Sequence, residues 1–190
     1  PLVHQLVIVL DFGGQYSHLI ARRVRECGVY CEVRPYTAPP DKIRAAKPLG
    51  IILTGGPNSV YAAKAPLCSA ELFGLDIPIL GICYGAQLAA FLNGGLVRTA
   101  DNGEYGRVEL TNLSTAEKLF KDIEENTVCW MSHTDFIARA PEGFTVTAQT
   151  TNCPCAAMEN AKKKIYAVQF HPEVVHTQAG TKILKNFLYD

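Results

Sequence analysis

The chain has 190 residues, 48% hydrophobic and 19% charged, and its eighteen basic side chains balance eighteen acidic ones. That length and mix suit one globular domain, and the zero net charge argues against a nucleic-acid or membrane surface. No apolar run approaches the roughly 20 residues of a membrane span. The N-terminus lacks the charged-then-apolar pattern of a secretory signal. Seven scattered cysteines fit reduced thiols in a cytoplasmic protein better than a disulfide framework. Pro1 is not an encoded start, so residues are expected to be missing or processed upstream.

Leu6 to Leu10 reads as a fully buried strand and Asp11 to Tyr16 as a glycine-bearing loop. Ser17 is expected to cap a helix that Gly28 stops. Tyr30 to Arg34 is a second strand. Asp41 starts a short helix that ends at or before Lys47, because Pro48 follows. Gly50 to Leu53 is a third buried strand, followed by the turn Gly55-Gly56-Pro57, and Ser69 to Phe73 reads as a helix. Strands alternating with helices imply parallel pairing with both faces covered.

After Gly94-Gly95 the pattern changes. Leu96 to Thr99, Arg107 to Leu110, Thr127 to Met131, Phe144 to Thr147 and Ala156 to Met158 read as strands joined by turns. Glu159 to Lys164 reads as an exposed hairpin loop, and the chain returns to the main sheet with the run Ile165 to Phe170. An amphipathic helix, Thr177 to Leu188, closes the chain through Ile183, Leu184, Phe187 and Leu188. The expected fold is α/β: a mostly parallel central sheet flanked by helices, with an added small antiparallel layer.

The chemistry concentrates in two stretches. Gly81-Ile82-Cys83-Tyr84-Gly85 is a cysteine version of the G-x-S-x-G nucleophile elbow, between an apolar strand and a helix-prone segment. Such a turn aims a helix N-terminus at the sulfur, which favours thiolate and later an oxyanion. A buried free cysteine is the plain alternative. Far downstream, Gln169-Phe170-His171-Pro172-Glu173 offers a base and an acceptor to orient it. Alone, this His-x-Glu reads as a solvent-facing loop; together with the elbow it points to a catalytic triad of Cys83, His171 and Glu173. Cys153-Pro154-Cys155 has neither the spacing nor the second Cys/His pair of a metal site, so no metal is expected.

Those two stretches resemble the class I (triad) glutamine amidotransferases. Asp11-Phe12-Gly13-Gly14-Gln15-Tyr16, Thr54-Gly55-Gly56-Pro57-Asn58-Ser59-Val60-Tyr61, Trp130-Met131-Ser132-His133 and Ile183-Leu184-Lys185-Asn186-Phe187-Leu188 narrow the likeness to the glutaminase part of the GMP synthases. The likeness runs from Leu6 to Asp190, which implies a single glutaminase domain over residues 1–190. It implies that Cys83 attacks the side-chain amide of L-glutamine and that His171 moves protons in both half-reactions while Glu173 orients it. The backbone N–H groups of Gly56 and Tyr84 would form the oxyanion hole. Gln87, one helical turn after Cys83, and Ser132, His133 and Asp135 would hold the amino-acid end of the substrate. Thr134 stands where this family usually has glycine, so strain is expected there if the position needs positive φ. A flip of the peptide at Gly56, on a flexible Gly-Gly turn, would offer a partner control over an isolated domain that is slow alone.

The implied partner is an ATP-pyrophosphatase (GMP synthetase) domain or subunit that uses ATP and Mg, whereas the glutaminase domain needs no cofactor. Thr54-Gly55-Gly56-Pro57-Asn58-Ser59 only superficially matches that partner's phosphate loop: Pro57 lacks a donor N–H and Asn58 replaces the acid. The synthetase half is therefore expected elsewhere, in another subunit or a further domain. Two other readings remain open from the residues: a related Cys-His-Glu hydrolase, such as a gamma-glutamyl hydrolase or peptidase, and a non-catalytic regulatory subunit.

Overall fold

The computed structural model describes residues 5–189, so the readings that touch Pro1, His4 and Asp190 lie outside the described residues. In chain order the elements are β1 (Leu6–Asp11), α1 (Ser17–Glu26), β2 (Tyr30–Pro35), α2 (Pro40–Ala45), β3 (Gly50–Leu53), β4 (Ile79–Ile82) and α3 (Tyr84–Leu92). They continue with β5 (Leu96–Glu109), β6 (Val128–Arg139), β7 (Thr145–Ala148), β8 (Ala157–Asn160), β9 (Ile165–Val168) and α4 (Gly180–Tyr189).

Seven strands form one sheet in the order β2-β1-β3-β4-β9-β8-β7, while β5 and β6 pair as a separate two-stranded antiparallel sheet. The first five strands of that order run parallel, and β8 and β7 add an antiparallel edge. Alternation along β1 decides which side chains meet which layer. Val7 and Val9 share a cluster with Ile20 and Val24 of α1 and Ile183, Leu184 and Phe187 of α4. Ile8 and Leu10 join Ile43 of α2 and Leu88, Ala89 and Ala90 of α3. Each aliphatic side chain buried this way stabilises the fold by about 1.5–3 kcal/mol.

The α/β reading holds, with a mostly parallel sheet and a small antiparallel one. Four local expectations differ. Ser17 does not cap α1: Tyr16 takes that position, and the Ser17 hydroxyl donates instead to Asp11 Oδ1 at 2.8 Å. The segment after Ser69 is a 3-10 turn, Ala70–Gly74, although Ser69 does accept the Glu71 N–H. The strands around Phe144 and Ala156 do not join the added layer; they extend the main sheet as β7 and β8. Glu159 and Asn160 belong to β8 and are buried, because the Glu159 carboxylate accepts the Lys118 and Leu119 N–H groups, and only residues 161–164 form the turn.

The closing helix also starts later than its pattern suggests. Thr177 lies before α4, buried, where its hydroxyl accepts the Trp130 N–H and donates to the His171 carbonyl. Gly180 opens α4 because a Cβ there would fall 2.0 Å from the Pro172 carbonyl oxygen.

Candidate active site

Parallel strands put their C-terminal ends on one edge, and in open α/β sheets ligands gather there, where the strand order reverses. Here the reversal falls between β1 and β3. The loops after β1 and β3, the turn after β4 and the segment after β9 all line one cleft of about 430 Å³. Cys83 sits at the turn from β4 into α3 with φ 52° and ψ −107°, a strained conformation that costs about 1–3 kcal/mol outside glycine. The surroundings enforce it. The Cys83 N–H donates to the Val168 carbonyl at 2.9 Å, and the Gly85 N–H donates to the Thr54 carbonyl at 3.1 Å. Glycine is required on both sides: a Cβ on Gly81 would lie 2.5 Å from the Gly85 oxygen, and one on Gly85 2.3 Å from the Leu53 oxygen.

His171 and Glu173 meet Cys83 from the segment beyond β9. His171 Nδ1 and Glu173 Oε1 are 2.6 Å apart, with Glu173 wholly buried. A Cβ on Gly55 would lie 3.2 Å from His171 Cε1 and 3.5 Å from Cys83 Cβ, so the three groups converge on one point. Burial alone pulls the His171 pKa down. The hydrogen bonds and charges of Cys83 and Glu173 outweigh it and leave the pKa raised to about 10. Those partners favour the protonated ring, a form suited to donate a proton. The edge of the Tyr16 ring closes over it, with ring centres 5.6 Å apart.

Among the described residues, neither the Gly56 nor the Tyr84 N–H has a protein acceptor. The turn that carries Gly56 is not free, contrary to the reading of a flexible Gly-Gly pair. Thr54 Oγ1 accepts the Phe12 N–H at 3.0 Å and donates to the Gly55 carbonyl at 3.1 Å. Gly14 packs on the same carbonyl, where a Cβ would come within 2.4 Å of its oxygen. A flip of the Gly55–Gly56 peptide has to break this hydroxyl bond and displace Gly14.

The opposite wall comes from α3 and β6. Gln87 Nε2 donates to the Asp135 carbonyl at 2.9 Å and to Gln169 Oε1 at 3.2 Å. Gln169 in turn donates to the Cys83 sulfur at 3.6 Å. Ser132, His133 and Asp135 line the cleft, and the Ser132 carbonyl accepts from the Cys83 thiol at 3.6 Å. His133 turns both ring nitrogens to protein acceptors, Glu104 Oε1 and the Asp135 carbonyl. The Asp135 carboxylate accepts the Thr99 hydroxyl at 2.8 Å. Thr134 carries no positive φ; it lies within β6 and its hydroxyl pairs with that of Tyr105. The strain expected at Thr134 is therefore absent, because an extended strand suits a β-branched residue.

Sequence reasoning gave no role to Thr54, Glu104 or Gln169. Gln169 and Thr54 stood inside the quoted motifs, while nothing in the spacing of Glu104 marks its partner 29 residues away.

Residues 8–190 match the family model described as glutamine amidotransferase class-I. The GMP synthase [glutamine-hydrolyzing] of Alkaliphilus metalliredigens is 58% identical over 186 residues, covering 98% of this chain and 36% of that protein. The protein of the same name from Clostridium perfringens is 57% identical over 188 residues, with 99% and 37% covered. This chain thus spans about a third of the length of the curated relatives it matches. Among solved structures, a Thermoplasma acidophilum chain, described provisionally as one subunit of a GMP synthase, superposes with a TM-score of 0.85 at 30% identity. The match covers 97% of this chain and 92% of that one. The matched span, the elbow and the doubly covered parallel sheet place this chain in the class-I glutamine amidotransferase family.

Proposed function

We propose that this chain hydrolyses L-glutamine to glutamate and ammonia and supplies the ammonia for amination of XMP to GMP. The observation that carries the reading is the convergence of Cys83 with the His171–Glu173 pair, whose partners are 2.6 Å apart, beside two N–H groups without acceptors. The Cys83 thiolate attacks the amide carbon, and the Gly56 and Tyr84 N–H groups stabilise the resulting oxyanion. His171 gives its proton to the departing nitrogen, which leaves as ammonia and a thioester on Cys83. Neutral His171 then takes a proton from water as the water attacks the thioester. Collapse of that second tetrahedral species breaks the C–S bond and releases glutamate. Glu173 keeps the imidazole oriented through both steps.

The names of the relatives support the acceptor half, and this chain covers 36% and 37% of their length, which leaves room for it. An ATP-pyrophosphatase partner, using ATP and Mg, would activate XMP and receive the ammonia. Seven free buried cysteines suit the reducing cytoplasm, and among the described residues no helix is long and apolar enough to cross a membrane. The test is glutamate release from glutamine, alone and with such a partner loaded with ATP and XMP. Glutamate formation that rises with the loaded partner supports the reading; no release in either case overturns it.

A further inference from the structure

A second group of buried ionisable side chains lies behind the β6 wall: Glu104, His133 and Cys153. Glu104 on β5 faces His133 on β6 as a direct cross-strand partner. Their side chains are only 5% and 4% exposed, and Nε2 lies 2.9 Å from Oε1. The second Glu104 oxygen accepts the Thr150 hydroxyl at 2.7 Å. His133 Nδ1 lies 2.7 Å from the Asp135 carbonyl, which can only accept, so that nitrogen carries a hydrogen.

Burial works against the charge on Glu104, but its bonds to His133 and Thr150 prevail and hold its pKa below the usual carboxylate value. The thiols facing the pair, Cys129 and Cys153, are pushed up by burial and by the Glu104 charge, so they stay neutral. The three groups are closed on themselves rather than open to a cation: both carboxylate oxygens and both ring nitrogens are engaged, and Cys153 donates to the Cys155 carbonyl at 3.4 Å.

The Asp135 carbonyl is shared. It accepts from His133 on one side and from Gln87, which leads through Gln169 to Cys83, on the other. We propose that Glu104 and His133 are positioning residues whose buried cross-strand hydrogen bond fixes the Ser132-to-Asp135 wall against Gln87 and so sets affinity for the amino-acid end of glutamine. This rests on the glutaminase reading above. The pair takes no part in proton transfer at Cys83. Removing one partner of a buried hydrogen-bonded pair leaves a buried polar group unsatisfied, and the wall then loses its fixed position.

Two measurements on the whole chain decide it. In ¹⁵N-labelled wild type, both His133 ring nitrogens are expected to report hydrogen bonds; a ring nitrogen free of any hydrogen bond overturns the pair. In Glu104→Gln, KM for glutamine is expected to rise about tenfold or more while kcat changes less than about threefold. Alkylation of Cys83 by iodoacetamide, which needs no amino-acid pocket, should keep its wild-type rate. Glu104→Asp, which keeps the charge, should restore part of the KM. An unchanged KM overturns the positioning role, and so does a variant whose kcat and alkylation fall as far as its affinity. Wild type that releases no glutamate defeats the glutaminase reading instead, and the ring signals still decide whether the pair is formed.

Discussion

Glu173 Oε1 lies 2.6 Å from His171 Nδ1 although Pro172 separates them and β9 has already ended at Val168. The contact is imposed from outside the segment. The Arg23 guanidinium donates to the Glu173 carbonyl at 2.9 Å, the His171 N–H donates to the Trp130 carbonyl at 2.9 Å, and Thr177 binds the His171 carbonyl. The other Glu173 oxygen is buried without a partner among the described residues, so the carboxylate depends on His171 for its main stabilisation.

Replacing His171 by Ala should therefore cost far more turnover than replacing Glu173 by Gln. The first removes the group that moves protons in both steps, and comparable losses reach several powers of ten. The second leaves an acceptor oxygen and an oriented ring. Steady-state glutamine turnover at saturation measures both. A His171→Ala chain within about threefold of wild type would remove His171 from the mechanism.

The raised His171 pKa makes a prediction in pH. The folded value of about 10 exceeds the ordinary value of 6.5, so folding favours the protonated ring. Its contribution to stability is complete below 6.5 and is lost as pH rises through about 10. Denaturant unfolding across that window should show a decline that shrinks in His171→Gln. The proton needed by the leaving ammonia disappears over the same range, so kcat should fall toward pH 10. A decline of equal size in His171→Gln would show that another group sets it.

How much of this was legible in the sequence depended on how local each signal is. The elbow was legible because Gly81 answers to a contact within one turn, the Gly85 carbonyl, although Gly85 answers to Leu53 on a neighbouring strand. The parallel strands were legible because buried strands such as Gly50–Leu53 read as unbroken apolar runs. Strand partners were not, since nothing in Thr145–Ala148 or Ala157–Asn160 says which sheet edge they will join. Ser17 defies its pattern because a hydroxyl before a helix can serve any nearby acceptor, and it bonds Asp11 rather than the helix N–H groups. Glu104 and Thr54 stayed hidden because their roles lie in side-chain hydrogen bonds made only after folding.

Thiol reactivity should separate Cys83 from the rest. Burial pushes Cys68, Cys129 and Cys155 up to about 12, Cys153 further still, and raises Cys27 and Cys31 as well. None of the six lines the cleft beside His171, as Cys83 does. Brief exposure to a glutamine-mimicking electrophile should place the adduct on the Cys83 peptide alone. Labelling shared among several cysteine peptides would contradict the assignment.

Thr54→Val removes the hydroxyl that holds the Gly55 carbonyl and also leaves the Phe12 N–H without its acceptor. A misdirected oxyanion donor costs up to about 10²–10³ in kcat, and loss of the restraint alone should cost about tenfold. KM should change little if, as proposed, the opposite wall holds the substrate's amino-acid end. Thr54→Ser, which keeps the hydroxyl, should recover most of the rate. Equal losses in the two variants would assign the effect to packing rather than to the hydrogen bond.

The most direct test is acid quenching during turnover of isotopically labelled glutamine, followed by peptide mass spectrometry. The account predicts a labelled glutamyl thioester on the Cys83 peptide, its disappearance in Cys83→Ala, and loss of glutamate release in that variant. Continued glutamate release from Cys83→Ala, with no adduct trapped in wild type, would contradict it.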